Sequence, residues 1–144
     1  MTATLLQNTE QTNLVEKMIA QHQYPLLSEL PIDSFLAEHE NVVLFFTHDV
    51  VRYPESNDVA MILPELVSYF NHSFTPAVIS MDIQDELQNT YGFLKWPALV
   101  FLRNSNYLGH ICKVQDWSDY ISQITAILKS KPKPAPGFII PVKQ

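Results

Sequence analysis

Apolar positions come in two kinds of run along this chain, and their spacing predicts the elements. Residues 42–47 (VVLFFT) are apolar almost throughout, as expected of a central strand covered on both faces. Residues 76–81 and 98–102 read the same way. Between residues 107 and 114 the pattern changes to alternation. Leu108, His110, Cys112 and Val114 take one side, and Tyr107, Gly109, Ile111 and Lys113 the other. The turn-forming Asn104-Ser105-Asn106 precedes this stretch, so it reads as the antiparallel partner of the strand before it. Residues 24–27 form a short strand that Pro25 confines to an edge, and Pro97 heads its strand without giving up an interior ladder bond.

Helical spacing fills the intervals. Thr12 or Asn13 caps a first helix to about residue 21, with Leu14, Val15, Met18 and Ile19 on one face. Asp33 caps a brief helix with Ile32, Phe35 and Leu36 inward. Asn57 or Asp58 starts a third, carrying Val59, Ile62, Leu63, Leu66, Val67 and Phe70. Pro64 lies inside that pattern. It either kinks one helix or begins a second one, and the unbroken apolar spacing favours the kink. Residues 83–93 form a helix with Leu87, Tyr91 and Leu94 inward, stopped by Gly92. Asp116 caps the last helix, whose Trp117, Tyr120, Ile121, Ile124, Ile127 and Leu128 form the cleanest stripe in the chain. The predicted order, α-β-α-β-α-β-α-β-β-α, implies a mixed sheet covered on both faces, its last two strands antiparallel.

Composition adds limits. The chain has 144 residues, 47% hydrophobic and 17% charged, enough for one domain with a sizeable core. No apolar run approaches the roughly 20 residues that span a bilayer, and the N-terminus lacks the pattern of a secretory signal. One cysteine, Cys112, allows neither an internal disulfide nor a cysteine zinc site, so a cytoplasmic location is expected. The net charge of −6 is uneven. Residues 1–128 hold all 15 acids and five bases, a net −10, and residues 129–144 hold the other four bases. So acidic a body disfavours nucleic acid and suits a basic partner. Residues 1–130 are expected to form the domain. Residues 131–144, rich in lysine and proline, are expected to be a flexible tail, although Phe138-Ile139-Ile140 could dock.

Little in the chain suggests chemistry. The five histidines show no metal-ligand spacing, His48-Asp49 being the only suggestive pair. There is no phosphate loop, nucleophile elbow or dinucleotide fingerprint. No metal, cofactor or enzymatic activity is expected.

The element order, with a proline heading the penultimate strand, resembles the thioredoxin fold over residues 24–130, with an added N-terminal helix at residues 12–22. Asp82, then Tyr91-Gly92-Phe93, then Pro97-Ala98-Leu99-Val100-Phe101 match a thioredoxin run. The resemblance implies a cis bond at Trp96-Pro97, facing the loop after the central strand. Thioredoxins place Trp-Cys-x-x-Cys in that loop; this chain has HDVVRYPESND. Dithiol exchange needs an activated thiolate and a resolving thiol, so disulfide chemistry is not expected. Cys112 reads as a small apolar filler. Asp82 matches an acid that assists thiol chemistry in thioredoxins and, without thiols to serve, reads as a strand-end cap.

A cysteine-less branch is closer. Val42-Val43-Leu44, then Arg52-Tyr53-Pro54-Glu55-Ser56-Asn57-Asp58, then Met61-Ile62-Leu63-Pro64-Glu65-Leu66 resemble the hydrogenase-1 operon maturation proteins of the HyaE/HupG type. Gly92-Phe93, Pro97-Ala98, Asn106-Tyr107 with Gly109, and Trp117 extend the likeness over most of residues 12–128. Pro64 and the tail depart from it. The resemblance implies a cytoplasmic, redox-inactive chaperone of nickel-iron hydrogenase. Its partner would be the hydrogenase small-subunit precursor, including the twin-arginine signal peptide.

Asp49, Glu55, Asp58 and Glu65 are the acids placed to meet such arginines. Four exposed ion pairs supply only about 1–3 kcal/mol, whereas micromolar affinity takes about 8 kcal/mol. An apolar groove must therefore supply the remainder, and Val51, Tyr53, Trp96 and Pro97 are the candidates flanking it. Plainer roles compete: Asn57 and Asp58 as helix caps, Glu65 as a solvated helix residue, Trp96 as packing on the sheet edge. The competing function is a cysteine-less thioredoxin-like scaffold with another protein partner.

Overall fold

A computed structural model describes residues 13–138. In chain order the elements are α1 (Leu14–His22), β1 (Leu26–Leu27), α2 (Glu29–Glu38), β2 (Asn41–Phe46), α3 (Glu55–Tyr69), β3 (Thr75–Ile79), α4 (Met81–Tyr91), β4 (Ala98–Arg103), β5 (Asn106–Cys112) and α5 (Trp117–Lys129), before a short 3-10 turn at Pro136–Phe138. This is the order the sequence predicts. The strands form one sheet in the order β1-β3-β2-β4-β5. β1 and β2 run parallel to β3, and β4 is antiparallel to both β2 and β5.

The sheet separates two apolar layers. Val43, Phe45, Leu99 and Phe101 face α1, α3 and α5, where Met18, Leu63, Tyr120 and Ile124 cover them. Val42, Leu44, Phe46 and Val100 face α2 and α4, covered by Leu36, Ile83, Phe93 and Trp96. Central strands buried on both sides explain the unbroken apolar runs. Arg103 ties the far end together. Its Nε donates to Asn41 Oδ1 at 2.8 Å, and its two terminal nitrogens donate to the Ser130 and Leu128 carbonyls at 3.0 and 2.5 Å. It thus serves carbonyls at the end of α5 that have no intrahelical donor. No helix among the described residues is long and apolar enough to cross a membrane.

Several details differ from expectation. α2 starts at Glu29 with Ser28 at its N-cap, so Asp33 lies mid-helix; Pro31 is tolerated because it sits in the first turn. α3 starts at Glu55 rather than at Asn57 or Asp58, and it continues through Pro64. Asn57 caps another helix instead, its Oδ1 accepting the Leu14 amide at 2.9 Å. Ser80, not Asp82, is the N-cap of α4. Asp82 lies exposed in that helix's first turn, where a negative charge suits the helix dipole. Leu94 is 85% exposed and Phe93 is buried in its place. The helix ends at Tyr91, and Gly92 turns the chain at φ 77°, so helical spacing no longer sets which side chain points inward.

The alternation expected of β5 also breaks. Phe101 pairs with Gly109 but Leu102 pairs with Tyr107, leaving Leu108 as an extra residue in the ladder. The bulge puts Leu108 with Ile111 in one layer, and Tyr107 with His110 on the other side, where the Tyr107 hydroxyl and His110 Nδ1 lie 2.6 Å apart.

The described part of the proline-rich tail, residues 131–138, is docked through Gly137. The Lys133 amide donates to the Tyr107 carbonyl at 3.0 Å, Ala135 is buried in the second layer, and Gly137 presses on the end of α4. A Cβ on Gly137 would fall 1.7 Å from the Asn89 carbonyl oxygen. The expected docking of Phe138-Ile139-Ile140 rests on side chains outside those described, and the residue-12 start of the first helix lies outside the described residues.

Candidate functional site

The sheet's carboxyl end is organised by the loop after β2. Thr47 is buried at its root, and its carbonyl accepts the hydroxyl of fully buried Ser56 at 2.6 Å. From the inner face of α4, Gln84 reaches the same point. Its Oε1 accepts the His48 amide at 2.7 Å, and its Nε2 donates to the Ile79 carbonyl at 2.8 Å and to Thr47 Oγ1 at 3.3 Å. One buried amide thereby joins the ends of β2, β3 and α4.

His48 then turns the chain with φ 51°. Its Nδ1 accepts the Asp49 amide at 2.8 Å. Asp49 continues the turn: its Oδ1 accepts the Val51 amide at 3.0 Å, and its carbonyl accepts the Tyr53 amide at 2.8 Å. These side-chain acceptors make the loop self-supporting without a regular element.

The Trp96-Pro97 peptide bond is cis. Trp96 is only 8% exposed and packs in the second core layer, 5.0 Å from Phe93 between ring centroids. The His48 ring stands edge-on to Trp96 at 4.7 Å and to Tyr53 at 5.1 Å. Loop, bend and core therefore meet through three aromatic rings. The Arg52 guanidinium lies 5.4 Å from the Tyr53 ring centre.

Of the eight residues expected at the site, Tyr53, Glu55 and Trp96 come together in a depression of about 170 Å³ that Arg52, Pro54 and Lys113 complete. Pro97 is buried behind it. Glu55 is committed within the fold: Lys113 Nζ is 2.9 Å from one carboxylate oxygen, and the Val114 amide donates to the other at 3.1 Å. The Val114 amide, and then Lys113, hold its carboxyl below the ordinary 4.5. Val51 projects outward, 73% exposed. Asp58 is exposed in the first turn of α3. Glu65 lines a separate cleft between α3 and α1, beside Lys17 and Met18. Asp49 lines a separate groove, with Glu16, Leu26 and Met81, to which Trp96 does not contribute.

Sequence reasoning missed His48 as the ring between Tyr53 and Trp96, and Gln84 as the clamp. A single amide next to Ile83 on an inward helix face was the available signal for Gln84; His48 was marked only by its pairing with Asp49, which gave no sign of its aromatic contacts. Among the described residues no group of three or more His, Cys, Asp or Glu is arranged to hold a metal.

The family described as hydrogenase-1 expression protein HyaE matches residues 14–120, from α1 through the loop, the cis bend and the hairpin into α5. The chain belongs to the HyaE family. Its HyaE-type relatives include the hydrogenase expression/formation protein HoxO of Azotobacter vinelandii, 41% identical over 123 residues that make up 85% of this chain and 82% of that one. HupG of Rhizobium leguminosarum bv. viciae, named in the same terms, is 37% identical over 119 residues, 80% of each chain. The crystal structure of a hydrogenase expression/formation protein, HupG from Rhodopseudomonas palustris, is 38% identical with a TM-score of 0.52, covering 72% of this chain and 94% of that one. Yeast mitochondrial thioredoxin 3 superposes with a TM-score of 0.59 at 11% identity, covering 73% of this chain and 96% of its own. The HyaE-family chain thus has the thioredoxin-like fold expected from its sequence, with another loop where thioredoxins carry their cysteines.

Proposed function

We propose that this protein is a redox-inactive chaperone of nickel-iron hydrogenase maturation, acting in the cytoplasm on the small-subunit precursor and its twin-arginine signal peptide. The observation that carries the reading is the loop at the sheet's carboxyl end. It holds no thiol. It is locked by Gln84, Ser56 and its own side chains, and it carries Tyr53 beside the buried Trp96 and exposed Val51 at its tip, while Asp49 lines a separate groove. A fixed surface of this kind suits holding a polypeptide rather than exchanging electrons. Membership of the HyaE family supplies the hydrogenase context.

The test is co-purification. Tagged protein is expected to recover the small-subunit precursor, and to recover much less of a precursor whose signal peptide has been deleted. Failure to recover either form overturns the reading, and recovery of an unrelated polypeptide instead favours the scaffold alternative. An insulin-reduction assay is expected to give no turnover.

A further inference from the structure

The depression at Trp96 is poorly suited to a cationic segment, because Arg52 and Lys113 both line it against the single acid Glu55. A better-suited surface lies apart from that depression, and Trp96 does not contribute to it. There a groove of about 360 Å³ runs between α1, β1, the end of β3 and the start of α4. This volume is within the range of about 300–1,000 Å³ typical of ligand pockets. Val15 and Ile19 of α1 form one apolar wall. Leu26 and Met81 also line it, and both are large apolar side chains left 55% and 53% exposed. Two acids, Glu16 and Asp49, line it together with His48, and among the described residues no Lys or Arg does.

The backbone adds a second feature. The Pro25 and Leu27 carbonyls accept the Val78 and Ser80 amides, so the intervening Leu26 directs its own amide and carbonyl away from β3, along the sheet edge. Such an edge can pair with an extended chain.

We infer that this groove, rather than the Trp96 depression, seats an apolar segment of a partner polypeptide next to a pair of basic residues. Apolar side chains pack on Leu26 and Met81, and the cations meet Glu16 and Asp49. The identity of the partner as the hydrogenase precursor rests on the function proposed above; the groove and its ligand chemistry do not.

The probe is a synthetic peptide in which an arginine pair precedes a short leucine-rich run, titrated into the isotopically labelled full chain. Amide shifts are expected at Leu26, Asp49, Val50 and Met81. Leu26→Lys and Met81→Lys, both at exposed positions, are each expected to weaken binding about tenfold with an unchanged melting temperature. Glu16→Gln with Asp49→Asn should flatten the salt dependence; Asn at 49 retains the acceptor for Val51. Leu94→Lys, outside the groove, should bind like the parent protein. Shifts confined to residues 52–55, 96 and 113, full affinity in folded Leu26→Lys, or no binding up to the peptide's solubility limit would each overturn the inference. These outcomes are separable from precursor co-purification, which reports on the proposed function alone.

Discussion

Glu55 and Lys113, 58 positions apart in the chain, meet at 2.9 Å and join the start of α3 to the end of β5 beside the cis bend. The acid is partly exposed, so the pair contributes about 0.2–1 kcal/mol. Because the folded carboxyl titrates below 4.5, its contribution is complete above that pH and is lost as pH falls through the lowered value. Glu55→Gln is expected to cost stability in that range at neutral pH and to remove this acid-sensitive component. Urea denaturation at pH 7 and below 4.5 measures both.

Gln84 is expected to matter more. Gln84→Leu would leave the His48 amide and the Ile79 carbonyl without their buried partner, at about 1–3 kcal/mol for each such group. The loss should total about 2–6 kcal/mol by chemical denaturation, with faster amide exchange at His48. Unchanged His48 exchange would show that Ser56 and the Asp49 turn hold the loop unaided.

His110 sets a second pH window. Burial, and then the charge of Lys133, lower its pKa below 6.5. The folded state therefore resists protonation, and stability should fall as pH drops from 6.5 through the lowered value, by up to about 1.4 kcal/mol per pH unit. Phe93 and the Tyr107 hydroxyl also face the ring. Tyr107 is raised to about 12, chiefly by burial, and remains a donor across this range. His110→Gln is expected to flatten the stability profile below pH 6.5 when melting is followed against pH.

Gly137→Ala tests the docked tail. The added carbon would overlap the Asn89 carbonyl, a backbone atom that cannot move without disturbing the end of α4. The tail is expected to lift while the body stays folded. The readout is the Lys133 amide, now bonded to Tyr107: its exchange should accelerate at least about tenfold, for a stability loss on the order of 1 kcal/mol.

The element order was legible because each run carries its own period. Residues 42–47 are buried on both faces whatever their neighbours are, and the α5 stripe repeats at helical spacing through Tyr120 and Ile124. Boundaries were less legible because competing caps lie close together: Ser28 against Asp33, Pro54 against Asn57, Ser80 against Asp82. The β5 bulge gave no local sign. Leu108 and Gly109 fit an alternating pattern equally well; in the fold Gly109 packs under Ile127 of α5, 3.1 Å from where a Cβ on Gly109 would sit.

The candidate site divides in the same way. Tyr53 and Trp96 could be placed together through the thioredoxin-like pattern. Whether an acid is available to a ligand depends on what the fold sets beside it, which separates Glu55, held by Lys113, from Asp49. Glu65 shares a helix with Glu55, yet a 15-residue helix carries it to a cleft with α1.

By itself the sequence determined the order of elements, their buried faces, the absence of a second thiol and the family likeness, since these depend on residue type and spacing over short distances. Only the tertiary structure decided that Trp96 is core, that Glu55 is paired, that Gln84 clamps the loop, and that α1, β1 and α4 enclose an acidic, apolar groove. Each of those depends on side chains from distant segments competing for the same space, and the chain's local pattern carries no record of that competition.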